Sequence, residues 1–230
     1  NDAYYVPRIK WKNNKNMLSV QTLNRHQNHL TMYSVNAKTS KVSILLEETD
    51  DAYVDITDNL TFLEDDSFIW SSEKDGWNHI YLYNEDGELM NQITKGDWEV
   101  TKYYGYDQNE DKIYFQSTEN GSINRGIYNI SSGGDDKKAL AVIAGANNAS
   151  FSADFTYFIN TFSSAEIPPV YTLHQAVNGK KIKDIKDNQQ LLQKLEGYKM
   201  SSKEFSTISI NGNNLNMYMI KPKDFDPSKK

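Results

Sequence analysis

The sequence predicts an all-β fold built from repeated units of about four short strands. Three observations support this: a tyrosine motif that returns at nearly even steps, a polar turn with an alternating strand before each copy, and an aromatic-rich composition. The 230 residues include 15 Tyr, 9 Phe and 4 Trp. Aromatic and β-branched side chains favour sheets, where one face of each strand is buried.

The tyrosine motif has an apolar residue before the ring and an apolar or aromatic residue two positions after it. Its copies are centred on Tyr33, Tyr81, Tyr128 and Tyr171, so the steps are 48, 47 and 43 residues. Units of ~40–50 residues with four strands each are typical of β-propeller blades. We therefore predict a propeller region over residues 1–186, with blades near 4–50, 51–98, 99–145 and 146–186.

A polar turn precedes an alternating strand in each unit. The turns are Asn14-Lys15-Asn16, Asp65-Asp66, Glu110-Asp111 and Ala153-Asp154. Asn and Asp suit such turns because they bond to nearby backbone and tolerate left-handed conformations. The strands that follow are expected over residues 17–20, 67–70, 112–115 and 155–158.

The pattern changes in residues 187–230. Leu191, Leu192 and Leu195 have helical spacing, with Asn188 as the expected N-cap and Gly197 as the expected stop. Residues 205–210 and 215–220 then alternate as two strands around an Asn-Gly turn, which predicts a hairpin. We interpret this segment as a linker helix followed by the first hairpin of a second domain.

Composition and charge exclude several function classes. The net charge of −6 argues against nucleic-acid partners, which require a basic face. The absence of Cys excludes disulfides and thiolate chemistry. No apolar run approaches ~18 residues, so no membrane span is expected in this segment, and no signal peptide is recognised. Both ends lead us to expect a segment of a longer polypeptide.

The sequence contains no catalytic or metal site that we recognise. It lacks the Gly-x-Ser-x-Gly nucleophile elbow, and the Gly/Ser cluster 131–135 is interpreted as a hairpin loop. His26 and His29 are interpreted as exposed turn residues, whereas His79 and His174 are expected to be packed or hydrogen-bonded. We interpret Glu47-Glu48 as solvated surface, and the acidic stretch 47–66 as a solvated connection rather than a Ca²⁺ site. We expect no cofactor.

Five stretches of the sequence, which span most of the chain from about residue 53 onward, are distinctive in combination. They are 70–83, Ile93-Thr94-Lys95-Gly96-Asp97-Trp98-Glu99-Val100, Tyr171-Thr172-Leu173-His174 with Val177-Asn178, Asp187-Asn188 with Leu191 and Leu195, and Met219-Ile220-Lys221-Pro222 with Phe225-Asp226 and Ser228-Lys229-Lys230. In this order they resemble stretches of the dipeptidyl peptidase IV family of prolyl oligopeptidase-like serine peptidases.

The resemblance implies the later half of an eight-bladed propeller and the entry into an α/β-hydrolase domain. The family removes N-terminal X-Pro or X-Ala dipeptides, so the implied partners are a peptide substrate, the C-terminal hydrolase domain and, as a further candidate, a second copy in a homodimer. It places the catalytic residues outside this chain and Tyr53 near the substrate cavity. Bacterial members are periplasmic or on the cell surface.

Two alternatives remain open from the sequence alone. One is a stand-alone β-propeller that serves as a protein-binding scaffold, because propellers host both roles. The other is the propeller of a prolyl oligopeptidase or an acyl-peptide hydrolase.

Overall fold

The regular secondary structure of the protein is almost entirely β-strand in the computed structural model, which describes residues 3–198 and 200–228. Four four-stranded sheets follow one another along the chain, and a short helix and a two-stranded hairpin come after them. The order of the strands is therefore that of an all-β chain assembled from consecutive units. No helix within the described ranges has the length and apolar character needed to cross a membrane.

The first two sheets each contain four consecutive strands in sequential order, paired antiparallel. The first sheet contains β1 (Ala3–Trp11), β2 (Met17–Asn24), β3 (His29–Asn36) and β4 (Val42–Thr49). The second contains β5 (Thr61–Phe62), β6 (Phe68–Ser72), β7 (His79–Tyr83) and β8 (Leu89–Gln92).

The third and fourth sheets repeat this sequential order. The third contains β9 (Val100–Asp107), β10 (Lys112–Ser117), β11 (Gly126–Ile130) and β12 (Lys138–Ala141). The fourth contains β13 (Ala146–Phe151), β14 (Tyr157–Ser163), β15 (Val170–Gln175) and β16 (Lys181–Lys186). The chain forms two compact units, one of Asn1–Phe115 with Asn129–Lys137 and one of Gln116–Tyr128 with Lys138–Lys230.

The repeated tyrosines occupy equivalent positions in the four sheets. Tyr33, Tyr81, Tyr128 and Tyr171 lie in β3, β7, β11 and β15, which are the third strands of their sheets. Their burial differs, because Tyr81 and Tyr128 are buried whereas Tyr33 and Tyr171 are only half-buried. The motif therefore marks strand position, and the neighbours of each ring decide how far it is covered.

The turns before the second strands adopt the expected left-handed backbone in two of the four sheets. Asp66 has φ 61° and Asp111 has φ 48°. In the fourth sheet the left-handed residue is Phe155, with φ 52°, rather than Asp154. The Asp154 carboxylate accepts hydrogen bonds from the hydroxyls of Ser152 and Thr156, at 2.6 and 2.7 Å. These bonds hold Asp154 within the turn, and the next residue takes the left-handed conformation.

Aromatic and aliphatic side chains of the first two sheets form one core cluster. Trp70 and Phe68 are fully buried within it, and the Phe68 ring stacks on Tyr83 with centroids 5.1 Å apart. The other buried members are Leu23, Leu30, Met32, Leu45, Leu46, Val54, Leu60 and Tyr81. Burial of these side chains is the main source of stability for this unit.

Contacts of His79 and Trp98 hold the segment between β8 and β9 in place. His79 is fully buried, and its ring nitrogens lie 3.0 Å from the Thr94 hydroxyl and 3.0 Å from the Gly96 carbonyl oxygen. Trp98 meets the His79 ring edge-on at 4.9 Å and stacks on Phe115 at 6.2 Å. Hydrogen bonds and ring contacts therefore hold the Thr-Lys-Gly-Asp-Trp-Glu-Val stretch in place within this unit.

Replacing Gly96 by alanine is expected to destabilise the protein by more than about 2 kcal/mol, the combined size of a left-handed penalty and an overpacked contact. Gly96 has φ +135°, and an added Cβ would overlap the indole nitrogen of Trp98. Gly76 is the matched control, since it has φ +99° with open space around a Cβ. Urea denaturation of both variants measures the difference in their free energies of unfolding. Equal losses of stability would contradict the close packing of Gly96 against Trp98.

Buried amides form a polar network in the second unit. The Asn147 side chain donates to the carbonyls of Arg125 and Ile143, at 2.9 and 2.8 Å. Its own oxygen accepts from the Asn160 amide at 3.2 Å. Gln116 donates to the Asn147 backbone carbonyl at 2.6 Å. Since Asn147 is fully buried, these bonds replace the water that its polar atoms lose on folding.

The helix α1 (Gln189–Glu196) lies where the leucine spacing predicts it, but its ends are held differently. Asn188 has φ 53°, its side chain makes no capping bond, and its amide donates to the Pro169 carbonyl. Asp187 accepts from the Gln189 backbone N–H instead, at 3.2 Å. Gly197 has right-handed φ −65° and donates to Lys194 at 3.2 Å, so a tight final turn replaces the expected left-handed glycine.

The predicted hairpin consists of β17 (Lys203–Ile210) and β18 (Asn213–Ile220), which pair in register around Asn211-Gly212. Asn211 has φ 52° and Gly212 has φ 82°, as a tight two-residue turn requires. Residues 1, 2, 199, 229 and 230 of the two predicted domains lie outside the described residues, including Lys229-Lys230 of the resembling stretch.

Candidate functional site

The connector between the first two sheets, residues 50–60, is an ordered segment without strands. The Asp50 carboxylate accepts the backbone N–H groups of Ala52 and Tyr53, at 2.7 and 3.2 Å. Val54 is buried in the core and donates its backbone N–H to the Gln27 carbonyl at 2.9 Å. The connector is therefore held to the first sheet by its backbone as well as by an apolar side chain.

Two basic side chains of β1 hold the second half of the connector. Arg8 forms an ion pair with Asp58, which raises the pKa of Arg8 and lowers that of Asp58. Lys10 donates to the Leu60 carbonyl. Tyr53, the predicted substrate-binding residue, lies in this connector with 48% of its surface exposed. Tyr53 is therefore a partly exposed residue on an anchored segment.

A cavity of about 710 Å³ lies beside the connector. Its walls come from the end of β4, the connector, the β6–β7 turn and the β7–β8 hairpin. The acidic lining residues are Glu47, Glu48, Asp50, Asp55, Asp58 and Glu73, and the basic one is Lys74. The cavity is large enough for a short peptide segment or a side chain, and its walls favour positive charge.

Glu48 departs from the solvated surface position that its neighbour Glu47 occupies. Its carboxylate accepts a hydrogen bond from the Trp70 indole at 2.9 Å. Burial raises the pKa of Glu48 above the ordinary glutamate value, while hydrogen bonds from Ser72 and Trp70 and the nearby Lys74 charge lower it. The interpretation of both glutamates as solvated is therefore wrong for Glu48, because β6 of the next sheet supplies a buried donor.

Lys74 is the basic residue that lines the cavity. Its ammonium donates to the Tyr83 hydroxyl at 2.8 Å and lies 4.1 Å from the centroid of the Tyr81 ring. Burial lowers the pKa of Lys74, and the negative charges of Glu48 and Asp75 partly oppose that shift. Burial is also the main cause of the raised pKa of Tyr83, with the Glu48 charge second.

The histidines do not come together as a site. His26 is exposed in the β2–β3 turn, and His29 lies 3.3 Å from a Glu47 oxygen. His174 bonds to the Gly179 carbonyl and the Thr172 hydroxyl, both at 2.8 Å. Within residues 3–198 and 200–228, no group of three or more His, Asp or Glu side chains is arranged to hold a metal ion.

The Gly/Ser cluster 131–135 forms the loop between β11 and β12. The Ser131 hydroxyl donates to the Asp135 carbonyl at 2.9 Å and accepts from the Asp135 backbone N–H at 3.1 Å. Both bonds close the loop, so this hydroxyl has a structural role. Ser131 and Ser132 lie between two β-strands and not on the strand-to-helix turn that a nucleophile elbow requires.

Comparison with known proteins shows to which family this series of sheets belongs. The family model described as the dipeptidyl peptidase IV (DPP IV) N-terminal region matches residues 1–169. The chain belongs to the dipeptidyl peptidase IV family. Within the family, dipeptidyl peptidase 4 of Trichophyton rubrum is 31% identical over 226 residues, covering 93% of this chain and 28% of that protein.

Solved structures of the dipeptidyl peptidase IV family match nearly the whole chain. Porphyromonas gingivalis dipeptidyl peptidase 4 superimposes with a TM-score of 0.90 and 38% identity over 98% of this chain and 32% of that one. A putative dipeptidyl aminopeptidase IV from Bacteroides ovatus gives 0.85 and 27% identity over 98% and 35%. The chain therefore has the fold of a partial propeller, and it spans about a third of these relatives' length.

Proposed function

We propose that this chain is the non-catalytic propeller portion of a serine peptidase that removes N-terminal X-Pro or X-Ala dipeptides. The observation that supports this most strongly is the match of 98% of the chain to about a third of a dipeptidyl peptidase 4 structure, at a TM-score of 0.90. The chain contains no Gly-x-Ser-x-Gly motif. The reactive serine would then belong to a following α/β-hydrolase domain.

In this role the blades would cover the active site, gate access to it and help position the peptide. Positioning a substrate lowers the activation barrier without chemical participation of the positioning groups. The exposed Tyr53 ring and the acidic cavity beside it are the surfaces of this chain that fit a peptide best. We assign Tyr53 a substrate-contacting role and no catalytic residue to this chain.

One face of the terminal hairpin is apolar and exposed, which is consistent with a following domain that covers it. The antiparallel register puts Ile208 opposite Leu215 and Ser206 opposite Met217 on the same face. Ile208 and Leu215 are 45% and 49% exposed, and Met219 on this face is 46% exposed. An apolar sheet face of this kind gains stability when another element covers it. The hydrolase domain would be that element, in a periplasmic or cell-surface enzyme that could also form a homodimer.

The test compares the full-length gene product with residues 1–230 alone. We expect the full-length protein to hydrolyse a Gly-Pro chromogenic substrate and to be inactivated by a serine-directed reagent, while the 230-residue chain gives no turnover. Hydrolysis by the chain alone would contradict the proposal. A full-length protein without dipeptidyl peptidase activity would favour the scaffold alternative, and cleavage within a peptide or of acylated residues would favour the other two peptidases.

Within the active full-length protein, Tyr53→Ala is expected to raise KM for the Gly-Pro chromogenic substrate with a smaller effect on kcat, because a contact outside the reacting bond contributes mainly to binding. Tyr157→Ala is the matched control, since Tyr157 is similarly exposed, at 45%, but lies in β14 rather than in the connector. Equal KM values for the Tyr53 variant and the unmodified enzyme would remove Tyr53 from the substrate site.

A further inference from the structure

Glu48 and Lys74 both line the cavity beside the connector, yet each forms its hydrogen bond with another residue. The Glu48 carboxylate accepts from the Trp70 indole at 2.9 Å. The Lys74 ammonium donates to the Tyr83 hydroxyl at 2.8 Å and lies 5.1 Å from the centroid of that ring. An acid and a base thus share a partly dehydrated space without a direct hydrogen bond between them.

Few charges other than Lys74 act on Glu48. From the β6–β7 turn, Glu73 faces it as a like charge. Tyr81 and Tyr83 of β7 are neutral phenols, and the negative charge of Glu48 contributes to raising the pKa of each. The remaining carboxylates of the lining, on β4 and the connector, are Glu47, Asp50, Asp55 and Asp58.

Three of those four carboxylates have local partners of their own. Glu47 lies 3.3 Å from His29, and Asp58 is paired with Arg8. Asp50 accepts two backbone N–H groups of the connector. Lys74 is consequently the cation that can respond to the charge of Glu48.

The side chain of Lys74 can reach more than one partner, because it is a compact charge on a flexible four-carbon stem. A neutral Glu48 offers it little, and the two tyrosine rings and the Tyr83 hydroxyl then hold the ammonium. An ionised Glu48 attracts it strongly, since the attraction between opposite charges increases as the surroundings lose water. The two arrangements differ in which group the ammonium contacts.

We propose that Glu48 and Lys74 form a pH-dependent switch in the lining of this cavity. When Glu48 carries a proton, the ammonium of Lys74 stays with Tyr83. When Glu48 ionises, the ammonium moves to the carboxylate and uncovers the tyrosine rings to the cavity. The position of one positive charge beside the connector, and hence the attraction of the cavity for a ligand, then changes with pH.

The direction of the pKa shift sets the pH range in which the switch operates. Burial raises the pKa of Glu48 from the ordinary value of 4.5, so ionisation occurs at a higher pH than in the unfolded chain. Stability is therefore greatest while Glu48 is protonated and falls as the pH rises from 4.5 through the raised pKa.

The test follows tryptophan emission of the full-length protein during a pH titration, because the Trp70 indole donates to the titrating carboxyl. We expect one component with a midpoint above 4.5, the ordinary glutamate value. It should be lost in Glu48→Gln and in Trp70→Phe. It should persist in Glu47→Gln, the matched control, since Glu47 is exposed and faces His29.

Two further variants test the exchange of partners. Lys74→Gln should raise the midpoint, because it removes the charge that favours ionised Glu48. Tyr83→Phe should lower it, because the ammonium loses its hydroxyl partner and is freer to pair with Glu48. These opposite shifts of the midpoint test the exchange of partners even if the Glu48→Gln variant fails to fold. Persistence of the component in a folded Glu48→Gln protein, or unchanged midpoints in both Lys74→Gln and Tyr83→Phe, would overturn the switch.

Discussion

Replacing Trp70 by alanine is expected to lower the free energy of unfolding by about 3–5 kcal/mol, the usual cost of removing a buried tryptophan. Trp70 is fully buried in the core cluster of the first two sheets. The variant also removes the indole that donates to Glu48. Urea denaturation of the 230-residue chain measures the loss through the transition midpoint and its slope.

Trp77→Ala is the matched control for this prediction. Trp77 lies in the β6–β7 turn and is 43% exposed, so the same chemical change removes little buried surface. Its effect should stay within about 1 kcal/mol. If both tryptophan variants lost the same stability, the packing of the first two sheets around Trp70 would be wrong.

The second large effect is expected for Asn147→Leu, which should destabilise the chain by about 3 kcal/mol or more, because each buried polar group left unsatisfied costs ~1–3 kcal/mol. Leucine has a similar size but cannot bond to the Ile143 carbonyl or to the Asn160 amide, and the Arg125 carbonyl keeps only its bond from the backbone N–H of residue 147. Thermal unfolding followed by circular dichroism measures the loss.

Asn148→Leu makes the same substitution one position along β13, where the side chain is exposed. Successive residues of a strand point to opposite faces, so this variant leaves the buried network intact. We expect a small change in the unfolding temperature. A loss as large as that of Asn147→Leu would show that the buried amides contribute no more than an exposed one.

The strand order was predictable from the sequence because it is a local property repeated four times. The tyrosines at 33, 81, 128 and 171 recur with one blade's spacing, and all four lie in third strands. Alternation and Asn-Gly likewise predicted the hairpin β17–β18. These signals depend on neighbours a few residues away, so they can be recognised without knowing the tertiary contacts.

The environment of Glu48 could not be predicted in this way. Glu47 and Glu48 are adjacent and chemically identical, yet only Glu48 meets the Trp70 indole, 22 positions further along the chain. The helix start shows the same limit, because Asn188 is engaged by Pro169 and Asp187 caps in its place. The signal that could have singled out Glu48 is its position near the end of a strand, where neighbouring side chains point to opposite faces of the sheet.

The sequence by itself thus determined the all-β class, the repeat and the family resemblance, because periodicity and turn chemistry are encoded locally. Only the tertiary structure decided which polar groups are buried and whom they contact: His79 with Gly96, Asn147 with Arg125, and Glu48 with Trp70. The physical reason is that burial and pKa depend on atoms that distant parts of the chain bring into contact, and no local pattern specifies those atoms.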